Sequence, residues 1–266
     1  MNEKEKCKEL RKIILQASHD THEGHVPTAF SIIEILYVLY HGVMNINPQN
    51  PDMPDRDILV VSKGHAAAGI YAVLADAGFF SMDELKRFGA FNGILGGHPD
   101  LNKVPGVEAS TGSLGHGFPM AVGMAMGMKI RKSEQKVFCI LGDGEANEGS
   151  VWEAIILAGQ YKLDNLTCIF DYNHSIERSV QWGDIAAKFR EFGWNATEVD
   201  GHDINELRKA FSHSSDGKPY VIIANTIKGK GCRTMEEEPN AWHHRAPNDE
   251  ELTLMLSEID QEMATI

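Results

Sequence analysis

Residues 136–175 read KVFCILGDGEANEGSVWEAIILAGQYKLDNLTCIFDYNHS, and this stretch decides the fold. Its first apolar run, residues 137–141, is short enough for a buried strand and ends in the sequence GDG. A helical pattern follows from about Asn147, and a second apolar run, residues 166–170, ends in DYN. The simplest arrangement is two parallel strands joined by a crossover helix.

The ends of these two strands predict a binding site. Parallel strands end at the same edge of a sheet, so we expect Asp143 and Asn173 to converge there. The glycines beside Asp143 let a diphosphate approach the backbone, and the N-terminus of the next helix offers unpaired N–H groups. A carboxylate and an amide oxygen suit a divalent cation that phosphate oxygens and water complete. GDG alone is more often an ordinary turn, but the spaced Asn and both apolar strands favour the site.

The composition describes an ordinary soluble protein. A chain of 266 residues can bury one large α/β core, and we expect residues 1–266 to form a single domain. No run of eighteen apolar residues and no signal peptide occurs in the sequence, which argues against a membrane span. Four scattered cysteines, two of them inside the predicted strands, favour a reduced, cytoplasmic protein. The formal charge of −13 makes nucleic acid or an anionic membrane a poor partner.

Strands alternate with helices along the rest of the chain. Further strands are predicted at residues 58–61, 197–199 and 220–227. Helices are predicted at residues 3–18, 28–43, 66–77, 120–128, 183–192 and 205–212 and after residue 247, whereas residues 91–107 should be irregular. The alternation predicts a doubly wound, mostly parallel sheet flanked by helices. The small residues and methionines of 120–128 indicate close packing at a buried or inter-subunit surface.

Four histidines lie in predicted loops: His25, His65, His98 and His244. His65 follows the strand at residues 58–61, at the edge where open α/β sheets bind their ligands. A single loop histidine is more often a solvated or capping residue, but four beside Gly- or Pro-bearing turns favour a site. Neutral imidazoles both donate and accept hydrogen bonds, which suits polyhydroxylated substrates, and protonated ones suit phosphate.

Together these motifs resemble the N-terminal, diphosphate-binding part of transketolase over nearly the whole chain. The matching pieces are GHVP at 24–27, SKGH at 62–65, GGHPD at 96–100, TGSLGHG at 111–117, GDGEANEG at 142–149, DYN at 171–173, DGHD at 200–203, TIKGKG at 226–231 and HRAP at 244–247. Their order and spacing agree, which is far more specific than any one motif. The resemblance implies the thiamine-diphosphate-binding fold and transfer of a two-carbon ketol unit from a ketose or ketose phosphate to an aldose or aldose phosphate.

The resemblance also implies a role for individual residues. Asp143 and Asn173 would ligate Mg²⁺, or Ca²⁺ or Mn²⁺, with the backbone carbonyl of Ser175 as a third ligand. Thiamine diphosphate would contact His65, Gly112, Ser113, Leu114, Asp143, Gly144, Asn173, Ile176 and His244. The catalytic residues would be His25, His65, His98, His244 and Glu148. Within that set, His25 and His98 would bond substrate hydroxyls, and Glu148 would join a proton relay at a subunit interface.

A partner chain is implied as well. In this family the cofactor is activated by a Glu on a separate pyrimidine-binding domain, and this sequence ends one helix past HRAP. We therefore expect a C-terminal transketolase subunit, carrying the pyrimidine-binding and C-terminal domains, to supply that Glu. A heterotetramer follows by family analogy, and the chain alone should be inactive.

Three alternatives remain. The alpha subunit of a 2-oxo acid dehydrogenase also has GDG and a spaced Asn, but lacks the SKGH, GGHPD and HRAP histidines. A plain nucleotide-binding domain is weak, because neither GxGxxG nor GxxxxGK[ST] fits the sequence. A non-catalytic scaffold of the same fold has no physical need for Asp143, Asn173 and four histidines.

Overall fold

The computed structural model describes residues 2–177, 179–213 and 216–262. In these ranges the strands are β1 Ile58–Val61, β2 Val137–Gly142, β3 Leu166–Tyr172, β4 Asn195–Asp200 and β5 Tyr220–Asn225. They form one sheet in the order β1-β2-β3-β5-β4, and every pairing is parallel. The predicted doubly wound parallel sheet is therefore confirmed.

Helices cover both faces of this sheet. They are α1 Glu3–Thr21, α2 Val26–Phe30, α3 Ile33–Val38, α4 Ala67–Ala77, α5 Gly117–Arg131, α6 Gly149–Gln160, α7 Ile185–Glu191, α8 Ile204–Phe211, α9 Arg233–Glu237 and α10 Asp249–Gln261. Successive strand side chains point to opposite faces, so Leu59 and Val61 enter one core while Ile58 and Val60 enter the other. The first core joins α1, α4 and α10, and the second joins α5, α6 and α7. No helix in the described ranges has the length and apolar character that crossing a membrane requires.

One predicted helix is wrong. Residues 28–43 do not form a continuous helix, because α2 and α3 are separated at Ser31 and Ile32 and a π-helical turn follows at Leu39–Val43. The hydroxyl of Ser31 donates to the Thr28 carbonyl (2.9 Å) and to the Asp171 carboxylate (3.0 Å) at the end of β3. A buried polar tether to the sheet thus outweighs helix continuity, which the apolar pattern alone favoured.

A smaller difference concerns the helix after GDG. The α-helix begins at Gly149 rather than near Asn147, because a 3₁₀ turn at Glu145–Asn147 comes first. Gly142, Asp143, Gly144 and Glu145 are the residues of this connection that line the site described below.

Candidate functional site

The ends of β2 and β3 bring the two predicted metal ligands together. The strands are paired in parallel through Gly142 and Asp171, so the next residues lie at one edge of the sheet. The backbone N–H of Ser175 donates both to the Asp143 carboxylate (3.0 Å) and to the Asn173 amide oxygen (3.2 Å). Asp143 and Asn173 therefore present oxygens to the same point, which is the convergence that the sequence predicted.

A hydrogen bond to Asp171 fixes the orientation of the Asn173 amide. Its amide nitrogen donates to Asp171 (2.7 Å), which turns the amide oxygen toward Asp143 and Ser175. Asp171 is fully buried and accepts a 2.6 Å hydrogen bond from the Lys63 ammonium, which also donates to the carbonyl and hydroxyl of Thr28. Burial alone would raise the pKa of Asp171, but the Lys63 charge outweighs it and holds that pKa below its ordinary value.

The charge of Asp143 is less well compensated. Among the described residues its carboxylate receives hydrogen bonds from the Gly144 N–H (2.7 Å) and from the N–H and hydroxyl of Ser175, at 3.0 Å each. Burial raises the pKa of the Asp143 carboxyl, and the nearby Asp171 carboxylate raises it further. A divalent cation at this point would stabilise the ionised form.

A cavity of about 270 Å³ opens over these strand ends. The residues that line it lie at the carboxyl edge of the sheet or in the loops above that edge. They are His25, Thr28, Lys63, His65, His98, Gly112, Leu114, Gly142, Asp143, Gly144, Glu145, Asn173, Ser175, Lys228 and His243. The sequence prediction named nine of these residues: His25, His65, His98, Gly112, Leu114, Asp143, Gly144, Asn173 and Ser175.

Close backbone approach shapes one wall of the cavity. A Cβ on Gly64, in the SKGH turn after β1, would lie 2.6 Å from the Thr111 carbonyl carbon. A Cβ on Gly112 would lie 2.9 Å from the His98 ring. Only glycines at these two positions allow the turn, the 111–114 segment and His98 to pack together.

The histidines of the cavity form one cluster. The His25 ring centroid lies 5.3 Å from that of His65 and 5.1 Å from that of His243. Burial lowers the pKa of His25 to about 4, and the positive charges of its histidine neighbours lower it too. Burial and the Lys63 ammonium lower the pKa of His65 to about 3. Both imidazoles are therefore neutral at pH 7, and His25 Nδ1 is buried without a hydrogen-bond partner in the described ranges.

The histidine pair at residues 243 and 244 differs from the prediction. The sequence analysis chose His244, whose ring lies 4.6 Å from that of His25, but it is His243 that lines the cavity. His243 Nδ1 is 3.1 Å from the Lys228 ammonium, and burial together with that charge lowers the pKa of His243. The motif match HRAP covers only the second histidine, so it could not show that the first one also lies at the cavity.

Five other lining residues were not named as site residues: Thr28, Gly142 and the charged residues Lys63, Glu145 and Lys228. Both lysines are nearly fully buried. Lys63 follows β1 in the SKGH motif, and Lys228 follows β5 in the TIKGKG motif. Burial, with the Lys63 charge nearby, lowers the pKa of Lys228. Glu145 accepts hydrogen bonds from the Ser62 hydroxyl and the Gly115 N–H, and burial raises the pKa of its carboxyl. Basic residues at strand ends were the signal that could have found the lysines.

Besides His244, three predicted residues do not line the cavity. Ser113 is exposed beside it, and Ile176 is half-buried against the second core instead of facing the cavity. Glu148 is exposed at the start of α6, next to Gly115, as a residue at an interface with another subunit would be.

The chain is an α/β protein whose parallel strand ends carry a carboxylate and an amide oxygen side by side, two buried lysines and a histidine cluster around one cavity. Residues 2–260 match the family profile described as "Transketolase, thiamine diphosphate binding domain". The chain is 41% identical over 258 residues to one subunit of the apulose-4-phosphate transketolase of Actinobacillus succinogenes, covering 95% of this chain and 93% of that relative. It is 37% identical over 262 residues to "6-deoxy-6-sulfo-D-fructose transketolase subunit SqwG" of a Clostridium species, covering 96% and 95%.

Single-chain transketolases match over part of their length. The human "Transketolase" is 42% identical over 246 residues, which is 90% of this chain and 39% of the human protein. The crystal structure of transketolase from Campylobacter jejuni superposes with a TM-score of 0.88 at 32% identity, covering 99% of this chain and 43% of that one. The chain therefore belongs to the transketolase family, in its thiamine-diphosphate-binding part, and is a transketolase-type transferase.

Proposed function

We propose that this chain is the N-terminal subunit of a two-chain transketolase. With its partner it transfers a two-carbon ketol unit from a ketose or ketose phosphate to an aldose or aldose phosphate. The observation that carries the proposal is the convergence of Asp143 and Asn173 on the Ser175 N–H, at the ends of two parallel strands. The similarity to relatives that are themselves named as single subunits of transketolases supports the two-chain arrangement.

The residues at the strand ends fit thiamine diphosphate and a divalent cation. Asp143 and the Asn173 amide oxygen would hold Mg²⁺, or Ca²⁺ or Mn²⁺, with Ser175 as the third contact. In the described part of the chain no cluster of three His, Cys, Asp or Glu could hold a metal, so diphosphate oxygens would have to complete the coordination. Gly112, Leu114, Gly144 and the Lys228 ammonium would contact the cofactor, which when bound supplies the carbanion stabilisation that ketol transfer needs.

The histidine cluster would hydrogen-bond the hydroxyl groups of the sugar substrate. Neutral His25 and His65 can each donate one hydrogen bond and accept another, which suits hydroxyl groups that gain and lose protons during transfer. His98 and His243 line the same cavity and would fix the orientation of the donor. Because His244 lies outside the lining, we assign its proposed role to His243.

An exposed apolar face supports a partner chain. Met120 of α5 and Ile156 and Leu157 of α6 are 38%, 48% and 42% exposed, and an added Cβ on Gly123 of α5 would meet no atom within 4 Å. The exposed Glu148 begins α6 at the end of this face nearest the cavity. We propose that the partner docks there, placing Glu148 in the inter-subunit proton relay and its own activating Glu over the cavity. The assembly would be a heterotetramer.

We further propose that residues 1–266 act as one diphosphate-binding domain in the cytoplasm. The four cysteines are buried free thiols, which fits a reducing compartment. The relatives and solved structures reported above are transketolases, and this favours ketol transfer over the oxidation chemistry of a 2-oxo acid dehydrogenase.

The test is reconstitution. The chain is co-expressed with the product of the neighbouring reading frame and screened for ketose–aldose exchange with thiamine diphosphate and Mg²⁺. We expect transfer by the pair and none by either chain alone; transfer by this chain alone, or decarboxylation of a 2-oxo acid without transfer, would refute the proposal. Asp143→Ala should abolish cofactor retention. Asp164→Ala, which removes an exposed carboxylate just before the start of β3, serves as the matched control.

A further inference from the structure

The DGHD motif at residues 200–203 follows β4, and neither the cavity nor the proposed mechanism uses it. Its histidine, His202, is 10% exposed and bridges two parts of the chain. His202 Nδ1 lies 2.9 Å from a Glu34 carboxylate oxygen on α3. The backbone N–H of Ile227 donates to His202 Nε2 at 2.9 Å.

The Glu34 side of this bridge is rigid. Arg11 of α1 donates from its two terminal nitrogens to the two Glu34 oxygens, at 2.6 and 2.7 Å, and also to the Phe30 carbonyl at 3.0 Å. Arg11 is 4% and Glu34 6% exposed. A bidentate, buried pair holds the carboxylate in one place, so the imidazole that contacts it is held as well.

The two hydrogen bonds of His202 are compatible with only one tautomer of its imidazole. Because Nε2 accepts from a backbone N–H, it carries no proton, and Nδ1 must donate its proton to Glu34. The carboxylate thus sets the ring so that its acceptor nitrogen faces the chain that follows β5.

That chain carries Lys228 into the cavity. In residues 226–229, which we call the Lys228 segment, Thr226 N–H donates to the Tyr172 carbonyl and Gly229 N–H to the Pro27 carbonyl, both at 3.0 Å. The Ile227 N–H is the donor between these two anchors, and His202 is its acceptor. Lys228 is 7% exposed and reaches His243 at 3.1 Å. The backbone of the Lys228 segment therefore sets where the Lys228 side chain enters the cavity.

We propose that His202 is a positioning residue: its Nε2 accepts the Ile227 N–H and so holds the Lys228 segment with its ammonium in the cavity for the cofactor's diphosphate. The inference deepens the proposed function and rests on it for the identity of the anion. The positioning of the segment itself does not depend on that identity.

Two substitutions of His202 test the contacts of its two ring nitrogens one at a time. His202→Gln places an amide oxygen near the position of Nε2, so it can still accept from Ile227 while losing Glu34. His202→Asn places its amide near Nδ1, so it keeps Glu34 and loses Ile227. Amide hydrogen exchange on the full chain should be about tenfold faster over residues 226–229 in His202→Asn, and close to wild type in His202→Gln.

Cofactor affinity supplies the second readout. In the two-chain complex, calorimetric titration with thiamine diphosphate and Mg²⁺ should give a Kd about five- to tenfold weaker for His202→Asn and within about twofold for His202→Gln. Lys228→Met should also weaken binding. Adding His202→Asn to Lys228→Met should cause no further loss, because His202 acts through that ammonium.

A larger effect of His202→Gln than of His202→Asn on amide exchange and on the Kd would overturn the proposal. Fully additive losses of cofactor affinity in the double variant would also overturn it. If the wild-type complex binds no thiamine diphosphate, the proposed function fails. The exchange contrast between the two variants still supports or overturns the positioning of the segment in that case.

Discussion

Replacing Lys63 by methionine removes one member of a buried ion pair next to Asn173, one of the proposed metal ligands. The Lys63 and Asp171 side chains are 2% and 0% exposed, and their charged atoms lie 2.6 Å apart. Lys63→Met would leave the Asp171 carboxylate without its counter-charge and would remove the donor to Thr28 and Ser31. Breaking such a pair from one side costs about 3–5 kcal/mol of unfolding free energy.

Urea unfolding of the purified full chain measures this loss, followed by far-UV circular dichroism and by fluorescence of the buried Trp194. The control is Lys6→Met. Its ion pair with Asp76, 3.0 Å long, lies near the surface with side chains 29% and 11% exposed, so its loss should cost less than about 1 kcal/mol. The structure therefore predicts that two lysine-to-methionine changes of identical chemistry differ severalfold in effect.

The double variant Lys63→Met, Asp171→Asn decides whether the charge imbalance causes the loss. Removing both charges should return the chain to within about 2 kcal/mol of wild type, because neither buried charge is then left unpaired. The single variant should also bind cofactor poorly, since Asp171 orients the Asn173 amide. A double variant as unstable as Lys63→Met alone, or a Lys63→Met chain as stable as Lys6→Met, would refute this reasoning.

Three more predictions concern the histidine cluster and the exposed apolar face. The folded-state pKa of His25 is lowered from the ordinary 6.5 to about 4, so the unfolded chain binds more protons between these pH values. The free energy of unfolding should therefore fall as the pH drops from 6.5 to about 4. His25→Gln should make this free energy depend less on pH, as measured by urea titrations at several pH values. His98→Ala should leave the Kd for thiamine diphosphate near wild type and lower donor turnover at least tenfold, and equal losses in both would count against a substrate role. Ile156→Lys should prevent association with the partner in size-exclusion chromatography, whereas Leu254→Lys, at a 52% exposed position on α10, should not; two variants that both assemble would exclude the α5–α6 face.

The sequence predicted the sheet well because its strands are short apolar runs buried on both faces. The bounds of β1 agree with residues 58–61, and β2 and β3 differ from the prediction only at their ends. Buried parallel strands carry a continuous apolar signal, and the topology then places their carboxyl ends at one edge. The convergence of Asp143 and Asn173 follows from that topology, which is why two residues thirty positions apart could be paired in advance.

Features set by tertiary contacts could not be predicted this way. The break between α2 and α3 depends on Ser31 reaching Asp171, a contact between residues 140 positions apart. His243 contacts Lys228, which is fifteen positions away in the chain, and the half-buried position of Ile176 depends on the second core. Local patterns contain none of these partners, so the sequence located the motifs but not the direction of each side chain within them.

The central claim is that Asp143 and Asn173 share one cation. A crystal structure of the two-chain complex grown with thiamine diphosphate and Mn²⁺ tests it directly through the anomalous signal of manganese. The account predicts one peak within about 2.5 Å of both an Asp143 carboxylate oxygen and the Asn173 amide oxygen. A fully bound cofactor whose manganese peak lies away from either side chain would contradict it.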